Sequence, residues 1–154
     1  MRKRSAWMKG RTRLVTAEKR VLRYAIEIRH ESFRDPTFVD LLRAHNVALV
    51  IAETARSWPM AHDITADFVY MRLHGDKELY QSGYQDPALS RWKRRILAWH
   101  RGSEPPDGKR ISPKKAPKAR SRDVYCFFDN TDVKLRAPRD AQTLMRKLAL
   151  KSLM

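Results

Sequence analysis

Three observations predict an α/β fold built on parallel strands. Four apolar runs of strand length alternate with stretches of helical spacing, Asp-Pro pairs open two of those stretches, and each strand turns polar toward its C-terminal end. Strands joined through helices pair in parallel by right-handed crossovers, and that pairing defines the class.

The first strand is predicted over Tyr24–His30, where alternation puts Glu27 and Arg29 on one face and Ile26 and Ile28 on the other. Asp35 then caps a helix with Pro36 at its first position, and Phe38, Leu41 and Leu42 form its apolar face. Val47–Thr54 is the second strand and Phe68–Gly75 the third, the latter with Tyr70, Arg72 and His74 opposite Val69, Met71 and Leu73. Only Ala55–Asp67, with Trp58-Pro59, joins these two, which leaves room for a loop or one helical turn. Asp86-Pro87 opens a second helix along Leu89, Trp92, Ile96 and Trp99. Val124–Asn130 is the last strand, followed by a helix from near Pro138 through Ala141, Leu144, Met145 and Leu148.

Composition limits the function classes. The 154 residues include 33 Lys+Arg against 17 Asp+Glu, a net charge of +16, and 42% hydrophobic residues, enough for a core. The longest unbroken apolar run, Val47–Ala52, is far short of the roughly 20 residues that span a bilayer, so no membrane partner is expected. The basic start has no apolar segment behind it and is not a secretory signal. A single cysteine, Cys126, excludes an internal disulfide scaffold and a cysteine zinc cluster; it is expected to be buried mid-strand as a small apolar residue, in a reducing, cytoplasmic setting.

The charge is concentrated. Residues 1–20 and 109–122 together carry 14 of the 16 net charges, so the rest of the chain is almost neutral. The organisation read from this is a basic leader over 1–21, a domain over 22–150 with a Pro/Lys-rich insertion at 102–122, and a tail at 151–154. Four prolines (Pro105, Pro106, Pro113, Pro117) and little apolar content predict that the insertion projects from the surface. Both basic segments read as solvated chain. The alternative is weak, nonspecific nucleic-acid contact, although neither interleaves aromatics with bases as a stacking platform does.

Four segments carry a family resemblance: Tyr-Ala-Ile-Glu-Ile-Arg-His-Glu-Ser-Phe (24–33), Leu-Leu-Arg-Ala-His-Asn-Val-Ala-Leu-Val (41–50), Thr-Ala-Asp-Phe-Val-Tyr-Met-Arg-Leu-His-Gly (65–75) and Asp-Val-Tyr-Cys-Phe-Phe-Asp-Asn-Thr (123–131). In this order they resemble successive motifs of the YecE-like proteins, domain of unknown function 72, over about Leu22 to Leu150. The resemblance implies a partial TIM barrel, about four parallel strands with helices forming the second half of a (β/α)₈ barrel. A complete barrel needs about 250 residues, and residues 1–21 hold no counterpart of the family's opening Gly-Thr-Ser-Gly-Trp type motif, so a truncated half-barrel is expected. The family supplies a fold and a site location without an established reaction. Where it tends to have Asp after the second strand here, this chain has Glu53, which moves the carboxylate outward by one methylene.

The strand C-terminal ends converge on one side of a parallel sheet, where ligands bind. Glu27, His74 and Asp129 are the candidate catalytic residues, and Arg29, Glu53, Arg72, Gly75 and Asn130 the candidate ligand-binding ones. Glu27 beside Arg29 and His30 reads as a proton acceptor with an anion clamp, or as an ion pair that fills the barrel interior. Arg72 suits a carboxylate or phosphate, His74 a proton shuttle and Gly75 a close backbone approach; the plainer reading is a structural histidine and a turn. Asp129-Asn130 supplies a carboxylate and hydrogen bonds, or starts a turn. Glu27, His30, Glu53 and His74 lack close ligand spacing, so no metal is assigned. Without a glycine-rich phosphate loop the cofactor stays undefined. Asp76–Gln85, with Tyr80 and Tyr84 around Gly83, reads as a lid or a plain connecting loop. The expected function is binding of a small polar or anionic ligand by the complete barrel, as an enzyme by analogy of fold; the alternatives are nonspecific nucleic-acid binding through the basic leader and insertion, or an inactive truncation product. The expected partners are a second copy or a complementary half-barrel.

Overall fold

The computed structural model describes residues 18–79, 82–130 and 135–150. The leader through residue 17, Tyr80 and the 151–154 tail lie outside them. The chain runs β1 (Tyr24–Ile26), α1 (Pro36–Ala44), β2 (Val47–Leu49), β3 (Ile51–Glu53), β4 (Phe68–Leu73), α2 (Asp86–His100), β5 (Asp123–Phe128) and α3 (Arg136–Lys147). A short 3₁₀ turn, Glu31–Phe33, precedes α1. Every strand pairing is parallel. The α/β class therefore stands.

The predicted second strand is two short ones. β2 pairs with β1, with Ile26 opposite Leu49, while β3 pairs with β4, with Ile51 opposite Met71. The Val50 N–H still donates to Ile26 O at 2.9 Å across the break. Residues 47–53 thus bond one neighbour with their first half and the other with their second, a stagger between adjacent strands. β1 stops at Ile26 instead of reaching His30, whose ring turns aside to accept from Ser32 N and cap the 3₁₀ turn.

Strand alternation separates two faces. Ile51, Val69, Met71 and Leu73 are buried beneath Leu89, Trp92, Ile96 and Trp99 of α2 and Leu144 of α3, the stripe that helical spacing predicts for α2. Gln85, not Asp86, is the N-cap of α2, because the Asp86 carboxylate reaches the Lys147 ammonium at 2.7 Å. On α1, Asp35 caps as predicted, accepting from Thr37 N at 2.7 Å. Its buried residues are Val39 and Leu42, whereas Leu41 is exposed. α3 begins at Arg136, two residues before Pro138. No helix among the described residues is long and apolar enough to cross a membrane.

Against expectation, the proline-rich insertion does not project. It lies as a strap over the helix-less crossover between β3 and β4. Asp63, wholly buried, accepts from Ile111 N at 2.7 Å and Ser112 N at 3.0 Å. Beside it His62 N donates to Lys109 O at 2.7 Å, and Lys109 N donates to His62 Nδ1 at 2.8 Å. Burial, then the Arg95 charge, lowers the His62 pKa to about 4, so the ring is neutral at pH 7 and free to accept. Ser112 and Pro105 are buried, and Ala116 packs on the main core. Gly102 opens the strap at φ +74, where an added Cβ would sit 2.0 Å from Ala119 O. Prolines remove helix and ladder options here, but two buried side chains supply acceptors for the strap's free amides, and that is why it packs.

Replacing Asp63 by Ala should therefore destabilise the protein by about 3 kcal/mol or more, since each hydrogen bond to a charged group contributes about 1.5–3 kcal/mol. Urea denaturation measures this, and limited proteolysis should shift into residues 109–118. An unchanged midpoint and an intact strap would show that Asp63 does not hold it.

Candidate functional site

The polar ends of β1, β4 and β5 meet around one guanidinium. Arg72 and Ala52 share a register position, as do Glu53 and Leu73, so Arg72 projects from the face opposite the helices. Its Nη1 donates to Glu27 Oε2 at 2.7 Å, and its Nη2 to Asp129 Oδ2. Arg29 Nε donates to the other Glu27 oxygen at 2.9 Å. His74, completely buried, sets Nδ1 3.3 Å from Asp129 Oδ2 and Nε2 3.9 Å from Glu27 Oε2. Glu27, Arg29, Arg72, His74 and Asp129 are thereby brought together as the sequence suggests.

Trp58, read from sequence only as part of a loop, belongs with them. Its ring meets His74 edge-on at 5.9 Å, and the Arg29 guanidinium lies over it at 4.3 Å. Ala55 and Arg56 turn the chain to place it, both left-handed at φ 48 and 71. Non-glycine residues pay about 1–3 kcal/mol each for such conformations. The hydrogen bond from Trp58 N to Thr54 Oγ1, 3.0 Å, holds the turn. A tryptophan-proline pair just beyond a strand's C-terminal end is the signal that locates it.

Three candidates serve other places. Glu53 points into the helix-covered side, where it accepts from Trp92 Nε1 at 2.8 Å. Gly75, at φ +130, donates its N–H to Tyr84 Oη at 3.0 Å, and an added Cβ would sit 2.2 Å from Glu78 O. Asn130 is buried and donates to Ser82 O at 3.1 Å and Asp140 Oδ2 at 2.9 Å, tying the loop after β4 to α3. These two residues shape the loop rim. His30 is exposed at its cap, away from Glu27's partners.

Below the polar cluster the same face is aromatic. Tyr70 stacks on Phe127 at 5.0 Å, and a cavity of about 420 Å³ runs from Glu27 and Arg72 past Tyr70 and Phe68 to Arg23 and Tyr125. At its far end Arg23 donates to Asp123 at 2.6 Å and Tyr125 Oη at 3.1 Å. Side chains from the two outer strands thus meet across this face, which is concave. Cys126 points the other way, where burial raises its thiol to about 12 and leaves it inert at neutral pH.

A model of the family described as "Protein of unknown function DUF72" matches residues 6–153. The chain belongs to the DUF72 family. The match starts well before Leu22, where the quoted motifs begin. A crystal structure of a DUF72 family protein from Thermotoga maritima MSB8 superposes with a TM-score of 0.66 at 21% identity, over 83% of this chain and 46% of that one. The likeness is one of fold, and the chain spans less than half the length of that relative. No curated protein matches.

Electrostatics divides the roles within this DUF72 cluster. Burial pushes the Glu27 carboxyl up, but hydrogen bonds and charge from Arg72 and Arg29 together hold it below the usual carboxylate range. A carboxylate so stabilised is a weak base. Burial, then the Arg72 charge, pushes the His74 imidazole down despite Asp129 and Glu27. A neutral ring is the better proton acceptor at pH 7. Glu53 is opposite in sign to Glu27: burial raises it, with Asp76 adding to the effect against the Trp92 hydrogen bond.

The pH dependence of stability follows. Glu27, lowered on folding, contributes stability above its unfolded pKa of about 4.5 that is lost as pH falls through the folded value. Glu53, raised on folding, contributes below about pH 4.5 and loses that contribution as pH rises through its folded value. Urea midpoints taken between about pH 3 and 8 should show a flattened acid limb for Glu27→Gln and, for Glu53→Gln, a smaller loss as pH rises above about 4.5. Parallel profiles for wild type and both variants would contradict these assignments.

Proposed function

We propose that the described strands form the second half of a (β/α)₈ barrel whose C-terminal edge binds a small polar or anionic ligand and acts on it as an enzyme. One observation carries this reading. Arg72 is held between Glu27 and Asp129 with the His74 imidazole beside them, at the ends of three different strands, where barrel enzymes place their chemistry. His74 is the proton acceptor. Glu27 and Asp129 fix the guanidinium, which faces the ligand's oxygen atoms. Arg29 and Trp58 close one side. A single cysteine, present as a free thiol, supports a cytoplasmic address. The step from barrel to enzyme rests on analogy of fold.

Thermal melts against small phosphates, carboxylates and sugars test the site. A ligand that binds should raise the wild-type Tm by mass action, and His74→Ala and Arg72→Lys should lose at least ten-fold in its apparent affinity. His74→Gln keeps the volume and should lose binding while folding normally. If Glu27→Ala loses several kcal/mol and nothing shifts the parent melt, the cluster is structural.

A second copy of this chain is the partner we propose for the concave face. Among the described strands β1 pairs only with β2 and β5 only with β4, so each presents an open parallel edge. A two-fold axis along the strands sets β5 of each copy against β1 of the other and covers Tyr125 and Phe127, 42% and 48% exposed. Sedimentation should show a concentration-dependent dimer that Phe127→Glu dissociates. A compact monomer at every concentration would refute it.

A further inference from the structure

At the opposite, N-terminal ends of the strands lies a cavity of about 180 Å³ that the proposed site does not use. It is lined among others by Arg43, Asn46, Asp67, Lys118 and Arg122. Arg122 is only 2% exposed. Its Nη2 donates to Pro117 O, while Nε and Nη1 are buried with no acceptor among the described residues. The carboxylate it feels, Glu104, makes its ion pair with Arg110 at 3.4 Å through Oε2, while its Oε1 is buried and accepts no hydrogen bond among the described residues. A buried guanidinium with two unanswered donor atoms is costly unless a negative group meets it.

The surroundings favour such a group. Arg43, 11% exposed at its side chain, makes hydrogen bonds of 3.3 Å to Ile64 O, Ser112 Oγ and Lys114 O and a loose ion pair with Asp40 at 3.7 Å. Asn46 accepts from Asp67 N at 2.8 Å through its oxygen, which leaves its NH₂ as a donor. Lys118 is exposed at the rim. The lining of the cavity thus holds three cations and one carboxylate, that of exposed Asp67. The volume is below the roughly 300 Å³ at which pockets for whole small molecules begin, and suits a group of a few atoms.

We infer that this cavity binds one tetrahedral oxyanion of the phosphate class, held by Arg122, Lys118 and the Asn46 amide, and that the anion fastens the end of the strap to the base of the sheet. Arg122 is the strap's last residue, its N–H donating to His100 O at 3.0 Å just before β5 begins. An anion here joins that point to the start of β2 through Asn46. The inference is independent of the site at the other end of the strands.

The test compares sodium phosphate with sodium chloride at equal ionic strength on the full chain, reading Tm. Phosphate should raise Tm in a saturable manner, and Lys118→Gln and Arg122→Gln should each weaken the apparent affinity at least five-fold. Exposed Arg94→Gln removes one charge elsewhere and should change nothing. Lys118 is at the surface, so its variant decides the matter even where Arg122→Gln fails to fold. No saturable shift, or an equal response in the Lys118 and Arg94 variants, would overturn the inference, because screening of a +16 chain treats all cations alike. A 5′-phosphorylated oligonucleotide that competes with phosphate would identify the phosphoryl group of a nucleic acid as the source; lack of competition would identify the free anion.

Discussion

Everything at the polar end of the sheet depends on the Arg72 guanidinium. Its planar fork satisfies two carboxylates from strands that do not pair with each other, and no other side-chain type offers donors in that geometry. Without it Glu27 and Asp129 would repel across the mouth, and the buried imidazole between them would lose its neutral setting. Lysine, a point charge, cannot reproduce the two-way hold.

Two different fastenings therefore shape the concave face. Arg72 and its carboxylates draw the strands together at one end, while Arg23 with Asp123 does so at the other. The convex face needs no such device, because α2 and α3 cover it with apolar side chains. Between β3 and β4 the helix that would complete this cover is missing, and the strap fills the gap through His62 and Asp63. The His62 ring also lies 5.9 Å from Trp99 and 6.2 Å from Trp92, so the same residue joins strap to core.

The α2 stripe was legible from periodicity within one helix, and the parallel α/β order and the clustering of Glu27, Arg72, His74 and Asp129 from helix-linked strands whose C-terminal ends converge. What the sequence hid depends on distant partners. Glu53 looks like a mouth residue because it ends a strand, yet register with Leu73 turns it toward Trp92, and register is not visible along one strand. Asn130, beyond the end of β5, is drawn away from Asp129 by Ser82 O and Asp140, partners that the sequence does not reveal. The strap was illegible because its composition resembles solvated linker, while its anchors are two polar residues, His62 and Asp63, nearly 50 positions away in a segment with no periodic pattern. Trp58 was missed likewise, its place set by left-handed backbone at Ala55 and Arg56.

The packed strap also changes what the chain's charge means for counterions. Of its seven Lys and Arg residues, Arg122 is buried, Lys114 pairs with Asp40 at 2.6 Å and Arg110 with Glu104 at 3.4 Å. A polyanion laid along it would meet the remaining four, Lys109, Lys115, Lys118 and Arg120. Release of condensed ions from duplex DNA scales as about 0.9 per phosphate neutralised, so its salt dependence there would have a log-log slope near ~−3.6 rather than ~−6.3. Formal charge overstates how strongly this surface grips a phosphate backbone, because folding has already turned part of it inward.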